Sequence, residues 1–189
     1  MSKILYKNYH LSLYKTSRGF IYAQRRNINS TASLLFRKVK NEYEFLLRYQ
    51  PLPELKIKNN ENKWNTLFPC CVTGSLEKNE SPIDNCIKEI FEETGYKISR
   101  NNIKASNIAV ASTQSNECVY NFIVDITKLK QTSNKLGDGS IFESISKNIW
   151  VSHKKLKEIL VKNNIYLSST ASAYLLFLDK IYIKKEKKY

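Results

Sequence analysis

The chain has 189 residues and a formal charge of +14, from 31 Lys and Arg against 17 Asp and Glu. Hydrophobic residues make up 42% and aromatics 12%, enough apolar mass for one domain with a real core, which excludes a disordered chain. No apolar run approaches the length of a membrane-spanning helix, so none is expected.

The N-terminus, MSKILYKNYHLSLYK, is interrupted by lysines and has no apolar h-region, so no secretory signal is expected. Cys70, Cys71, Cys86 and Cys118 form no C-x-x-C pair and read as reduced core thiols of a cytoplasmic protein. Residues 4 to 26 predict two strands, Tyr9–Tyr14 and Phe20–Arg26, around a turn at Ser17-Arg18-Gly19. Residues 1 to 30 carry Lys3, Lys7, Lys15, Arg18, Arg25 and Arg26 and no acid. Ser33–Lys38 and Tyr43–Tyr49 predict a hairpin over Lys40-Asn41-Glu42, ended by Pro51-Leu52-Pro53. Residues 54 to 63 are polar and predict a loop. Trp64 to Val72 is a short apolar run leading to Gly74.

Between Gly74 and Tyr96 the sequence is GSLEKNESPIDNCIKEIFEETGY. Ser81 suits an N-cap, Pro82 the first helical position, and Asp84 the positive end of the helix dipole. Gly95 suits a helix stop with positive φ. Ile83, Cys86, Ile87, Ile90 and Phe91 form an apolar stripe. Glu89, Glu92 and Glu93, at i, i+3 and i+4, lie on the other face. Like charges at that spacing cost stability, and a hard divalent cation held by carboxylates is a reason to accept the cost.

Further on, Ile103–Ala111 and Cys118–Ile126 predict strands. Gln131–Ser140 predicts a polar loop and Asn148–Val151 a short strand. Ser152 caps a predicted helix over His153–Val161, and Ser168–Lys180 predicts the last long helix. The basic tail ends in KKEKKY and is expected to fray. His10 and His153 are expected at the surface.

The stretch from Gly74 to Tyr96, 23 of the 189 residues, resembles the Nudix box, G-x5-E-x7-R-E-U-x-E-E-x-G-U, in which U is a bulky apolar residue. Lys88 stands where the family has Arg. The resemblance implies an α/β Nudix fold, a mixed sheet sandwiched between helices, over residues 30–180. Residues 1–29 are then an N-terminal extension, open as an extra hairpin, a dimer element or part of a substrate wall, and 181–189 a basic tail.

The resemblance further implies a magnesium-dependent (or manganese-dependent) pyrophosphohydrolase acting on acid anhydrides. Glu89, Glu92 and Glu93 would be metal ligands, with the backbone carbonyl of Thr73 and support from Glu80. Lys88 would keep the charge of the family Arg without its forked geometry. Catalysis would rest on Glu89, Glu92, Lys88 and a general base at Glu143, seven residues before Trp150, with Asp138, Glu117 and Glu89 as competitors. Substrate contacts are open for Arg26, Arg48, Trp64, Phe68 and Tyr120, beside Tyr49, Phe142, Arg25, Lys56, Lys58 and Lys63.

The substrate class implied is a nucleoside diphosphate derivative: a dinucleoside polyphosphate, ADP-ribose, a nucleoside triphosphate or dihydroneopterin triphosphate. Two alternatives stand beside it. One is RNA 5′-end pyrophosphohydrolysis or decapping, motivated by the basic charge. The other is a non-catalytic nucleotide- or RNA-binding module of the same fold.

Overall fold

In the computed structural model the described residues are 2–52, 66–132, 144–162 and 165–183, with the backbone of 56–57 and 60–61. Residues 3 to 25 form a separate three-stranded antiparallel sheet of β1 (Lys3–Lys7), β2 (Leu11–Lys15) and β3 (Ile21–Arg25). The sequence predicts two strands here. The third, β1, is exposed at every position, so its alternation carries no burial signal to read. Gly19 takes the predicted turn with φ of 85°.

The central sheet has seven strands: β4 (Ser30–Val39), β5 (Glu42–Pro51), β8 (Leu67–Cys70), β9 (Val72–Ser75), β10 (Ile103–Val110), β11 (Cys118–Asp125) and β12 (Lys147–Ser152). The short pair β6 (Lys56–Ile57) and β7 (Asn60–Glu61) lies between β5 and β8 in sequence, inside the predicted loop. The spatial order is β10-β11-β4-β5-β12, with β9 continuing the pairing of β4 and β8 that of β5. Only β11 and β4 run parallel; the other pairs of this sheet are antiparallel.

Successive strand residues point to opposite faces, and here both faces are covered. Leu34, Phe36, Phe45, Leu47 and Ile123 pack on one side against α2 (His153–Val161) and α3 (Ser168–Phe177). Leu35, Leu46, Phe122 and Val124 pack on the other against Cys86 and Ile90 of α1 (Pro82–Thr94). β4 is buried without interruption from Ser30 to Phe36 for that reason. The fold is therefore the expected mixed sheet between helices.

Ser152 accepts the amide of Lys155 at 3.2 Å and starts α2 as predicted. α3 stops at Phe177, and Leu178–Tyr182 continues as a wider π-type turn. The predicted surface position of His153 is corrected. Its Nε2 lies 2.7 Å from the Tyr174 hydroxyl, half-buried among Phe45, Phe177 and Tyr182. Cys70, Cys71 and Cys86 are buried thiols, whereas Cys118 is only half-buried. Burial pushes Cys70 and Cys71 up to about 12 and Cys86 to about 11, so all three stay protonated at neutral pH. Among the described residues, no helix is long and apolar enough to cross a membrane.

Candidate active site

α1 begins after Ser81, whose extended backbone (φ −72°, ψ 135°) turns the chain into Pro82, and it stops at Gly95, with φ of 71°. β9 delivers the chain to this helix through the loop Leu76–Glu80. Asn79 in that loop takes positive φ, 68°.

Glu80 organises the loop. Its Oε2 accepts from the Glu77 amide at 3.0 Å and from Asn85 Nδ2 at 2.9 Å, and its Oε1 lies 3.1 Å from Lys88 Nζ. Burial raises the Glu80 carboxyl, but these hydrogen bonds and the Lys88 charge outweigh it and hold the group below the usual carboxylate range.

Asn85 is fully buried and joins three parts of the site. It accepts from Thr31 Oγ1 at 2.6 Å and donates to the Ser75 carbonyl at 3.1 Å as well as to Glu80. Glu89 Oε1 lies 3.5 Å from the same amide.

The three helix acids occupy three environments. Glu92 is exposed, Glu89 half-buried and Glu93 buried. Burial pushes Glu89 up to about 7, with Glu92 and Glu80 adding to the rise against Lys88. Its side chain lies directly against Gly74. A Cβ at that position would run into Cγ and Cδ of Glu89 and stand 2.6 Å from Oε1. Glu93 Oε1 pairs with Arg48 Nε at 3.2 Å, where the two side chains are 9% and 2% exposed.

The carboxylates offer the hard oxygen donors a divalent cation takes. Among the described residues, no three acidic, histidine or cysteine side chains converge on a point that would hold a cation alone. Mg²⁺ needs only one or two carboxylates and fills its shell with water and substrate phosphate, so the donor set fits such an ion. The raised Glu89 carboxyl, among like charges, is the place where a cation would do most.

One cavity lies against β9 and a second against the loop that follows it. The first, of about 350 Å³, is lined by Thr73, Gly74, Ser30, Arg25, Glu117 and Ser168 among others. The second, of about 450 Å³, brings together Arg26, Asn29, Lys78, Glu80 and Tyr120. Thus the sequence candidates Arg26 and Tyr120 meet beside Glu80, and Thr73 lines the cavity next to Gly74. Phe68 is buried in β8 opposite Gln50, and Arg48 is engaged by Glu93. Trp64, Asp138, Phe142, Glu143 and the side chains of Lys56, Lys58 and Lys63 lie outside the described residues.

Sequence reasoning missed Asn85, the Arg48–Glu93 pair, and the contact of Arg25 with Ser75 and Glu117. Asn85 sits in the first turn of α1, where Asn is ordinary, so its sequence position gave no signal. The other two join residues 45 or more positions apart, and local patterning does not register them.

No protein-family model matches the chain, and no curated protein matches it in sequence. Among solved structures, a crystal structure described as an ADP compounds hydrolase superposes with a TM-score of 0.59 at 14% identity. The match covers 100% of this chain and 97% of that one. At that identity the likeness shows a shared fold.

Proposed function

We propose that this chain is a divalent-metal-dependent hydrolase of the Nudix type, cleaving the pyrophosphate linkage of a nucleoside diphosphate derivative. The observation that carries the reading is the seat of Glu89 against Gly74. The glycine of the signature leaves the space that the carboxylate of the signature fills, 15 residues away in sequence. A silent scaffold has no need for that fit.

In this reading Mg²⁺ or Mn²⁺ would take one or two of Glu89, Glu92 and Glu93, with the Thr73 carbonyl, water and substrate phosphate filling its shell and Glu80 supporting the loop. The ion, when bound, neutralises the diphosphate and activates water for attack. The chain's own residues position and orient. Asn85 ties the helix to β9 and the loop, so the carboxylates keep a fixed distance from the strand. Arg48 fixes the Glu93 carboxylate from beneath the helix. Lys88 braces Glu80 and keeps the local charge in balance. Glu143, by resemblance, takes the proton of the attacking water, with Glu117 and Glu89 as the described alternatives.

The shared fold with an ADP compounds hydrolase supports the hydrolase class. The charge of +14 favours a second reading, RNA 5′-end hydrolysis. The test is a panel of ADP-ribose, ATP, a dinucleoside tetraphosphate and a 5′-triphosphorylated oligonucleotide, each with Mg²⁺ or Mn²⁺. Release of mononucleotide from a small substrate is expected. Turnover of the oligonucleotide alone moves the assignment to RNA ends, and no turnover of any of them removes the hydrolase reading.

A further inference from the structure

The cavity beside Gly74 differs in kind from a base-stacking pocket. Its described lining holds hydroxyls from Ser30, Thr31, Thr73, Ser75, Ser168 and Ser169, one carboxylate and one guanidinium, and no aromatic ring. A nucleobase wants a flat apolar partner on which to stack. A sugar wants alternating donors and acceptors fixed in place.

Glu117 and Arg25 supply them. Ser30 Oγ donates to Glu117 Oε1 at 2.6 Å, and Arg25 Nη1 donates to the same oxygen at 3.1 Å. Both bonds fall on one oxygen. Among the described residues, none donates to Oε2, and an ionised carboxylate has accepting capacity left there. Arg25 is fixed in turn, its Nη2 donating to Ser75 Oγ at 2.6 Å. Four elements thus converge: the end of β3, the start of β4, the end of β9 and the turn before β11. The carboxylate is held in one orientation with only 13% of its side chain exposed.

The geometry points to this cavity as a subsite for a polyhydroxylated, sugar-phosphate-type group, with Glu117 Oε2 accepting from its hydroxyls and Arg25 of the N-terminal sheet meeting its phosphate side. As a subsite of the reaction it rests on the hydrolase reading above, and it narrows the substrate to a nucleoside diphosphate joined to a sugar. It also gives residues 1–29 a part in the site, since the sheet β1–β3 carries Arg25 to the cavity wall.

The test separates the two claims. Calorimetry without metal compares ribose 5-phosphate with inorganic phosphate on the intact chain. The inference expects ribose 5-phosphate to bind at least about ten-fold tighter, the worth of one or two hydrogen bonds to a charged group. Glu117→Gln should remove most of that advantage, with its folding checked by thermal unfolding. In turnover with Mg²⁺, ADP-ribose should be preferred over ATP, and Glu117→Gln should raise KM for ADP-ribose more than it lowers kcat. A fall in kcat at unchanged KM overturns the subsite role of Glu117 in favour of its alternative as the general base. Equal affinity of the wild type for the two phosphates overturns the subsite whether or not the variant folds. Sugar-phosphate preference in a protein that hydrolyses no anhydride keeps the subsite and removes the reaction. Hydrolysis of ATP and ADP-ribose at equal kcat/KM does the reverse.

Discussion

Two acids of the signature are each held by a cation, and the two are held differently. Glu93 meets Arg48 beneath α1, out of water, with a guanidinium that is 2% exposed. Glu80 meets Lys88 on the rim, with an ammonium that is 39% exposed. Arg presents a rigid planar fork, whereas Lys presents a mobile point charge. Position 88 holds Lys where the resembled pattern has Arg, and the guanidinium beside Glu93 comes from β5. The buried pair, an Nε–Oε1 contact at 3.2 Å, balances charge in the interior, and the exposed pair balances it at the rim.

Breaking the buried pair should have the largest effect. Arg48→Met leaves Glu93 in the interior without its guanidinium, and loss of one partner of such a pair costs about 3–5 kcal/mol. Denaturant unfolding checks it, and a change below about 1 kcal/mol would show that water reaches the pair. Glu93→Gln should also destabilise, for the mirror reason. The resemblance implies that Glu93 is a metal ligand, whereas the structure buries it beside Arg48.

Next comes Gly74→Ala, which acts on the acid between the two pairs. The added Cβ displaces Glu89, a flexible side chain, so folding should change little while turnover falls. A misplacement on the order of 1 Å costs about a hundred-fold in rate. Wild-type kcat in a folded Gly74→Ala protein would mean that Glu89 works from another position.

The exposed pair should matter less. Lys88→Met should cost under about 1 kcal/mol of stability, as half-exposed ion pairs do. Lys88→Arg should keep or raise activity, because the fork can bind Glu80 through two bonds. A large loss of kcat in Lys88→Arg would show that the rim is built around an ammonium.

The smallest effect lies away from the box, at His153. Burial, and then the charge of Lys157, lowers its pKa, so the folded state favours the neutral ring. Stability from this group is present above the unfolded pKa of about 6.5 and is lost as pH falls through the folded value. The unfolding midpoint should therefore drop on acidification below about pH 6.5, and His153→Gln should make that drop shallower. An identical pH dependence in the variant would place the titration elsewhere.

Much of the fold was legible because its elements announce themselves locally. Ser81-Pro82 and Gly95 bracket α1, Ser152 caps α2, and the apolar runs from Ser33 and Tyr43 lie within β4 and β5. β1 was illegible because no face of it is buried. Spacing alone singled out Glu89, Glu92, Glu93 and Glu80 as candidates. It gave no sign of Arg48 or Asn85, whose places follow from sheet register and helix packing. Arg25 was legible as an open substrate contact and Glu117 as a competitor for the general base, but nothing local showed that the two side chains meet. Their meeting across the cavity depends on how the N-terminal sheet docks, through pairing of Ala23 with Ser115 and contact of Gln24 with Asn116.

The central claim is that the carboxylate seated against Gly74 binds a divalent cation. Its most direct test is Mn²⁺ titration of wild type and Glu89→Gln, read by electron paramagnetic resonance of the free ion. The account predicts binding by the wild type and an affinity at least about ten-fold weaker in the folded variant, the worth of one charged ligand interaction. Equal Mn²⁺ affinity in the two proteins would contradict it.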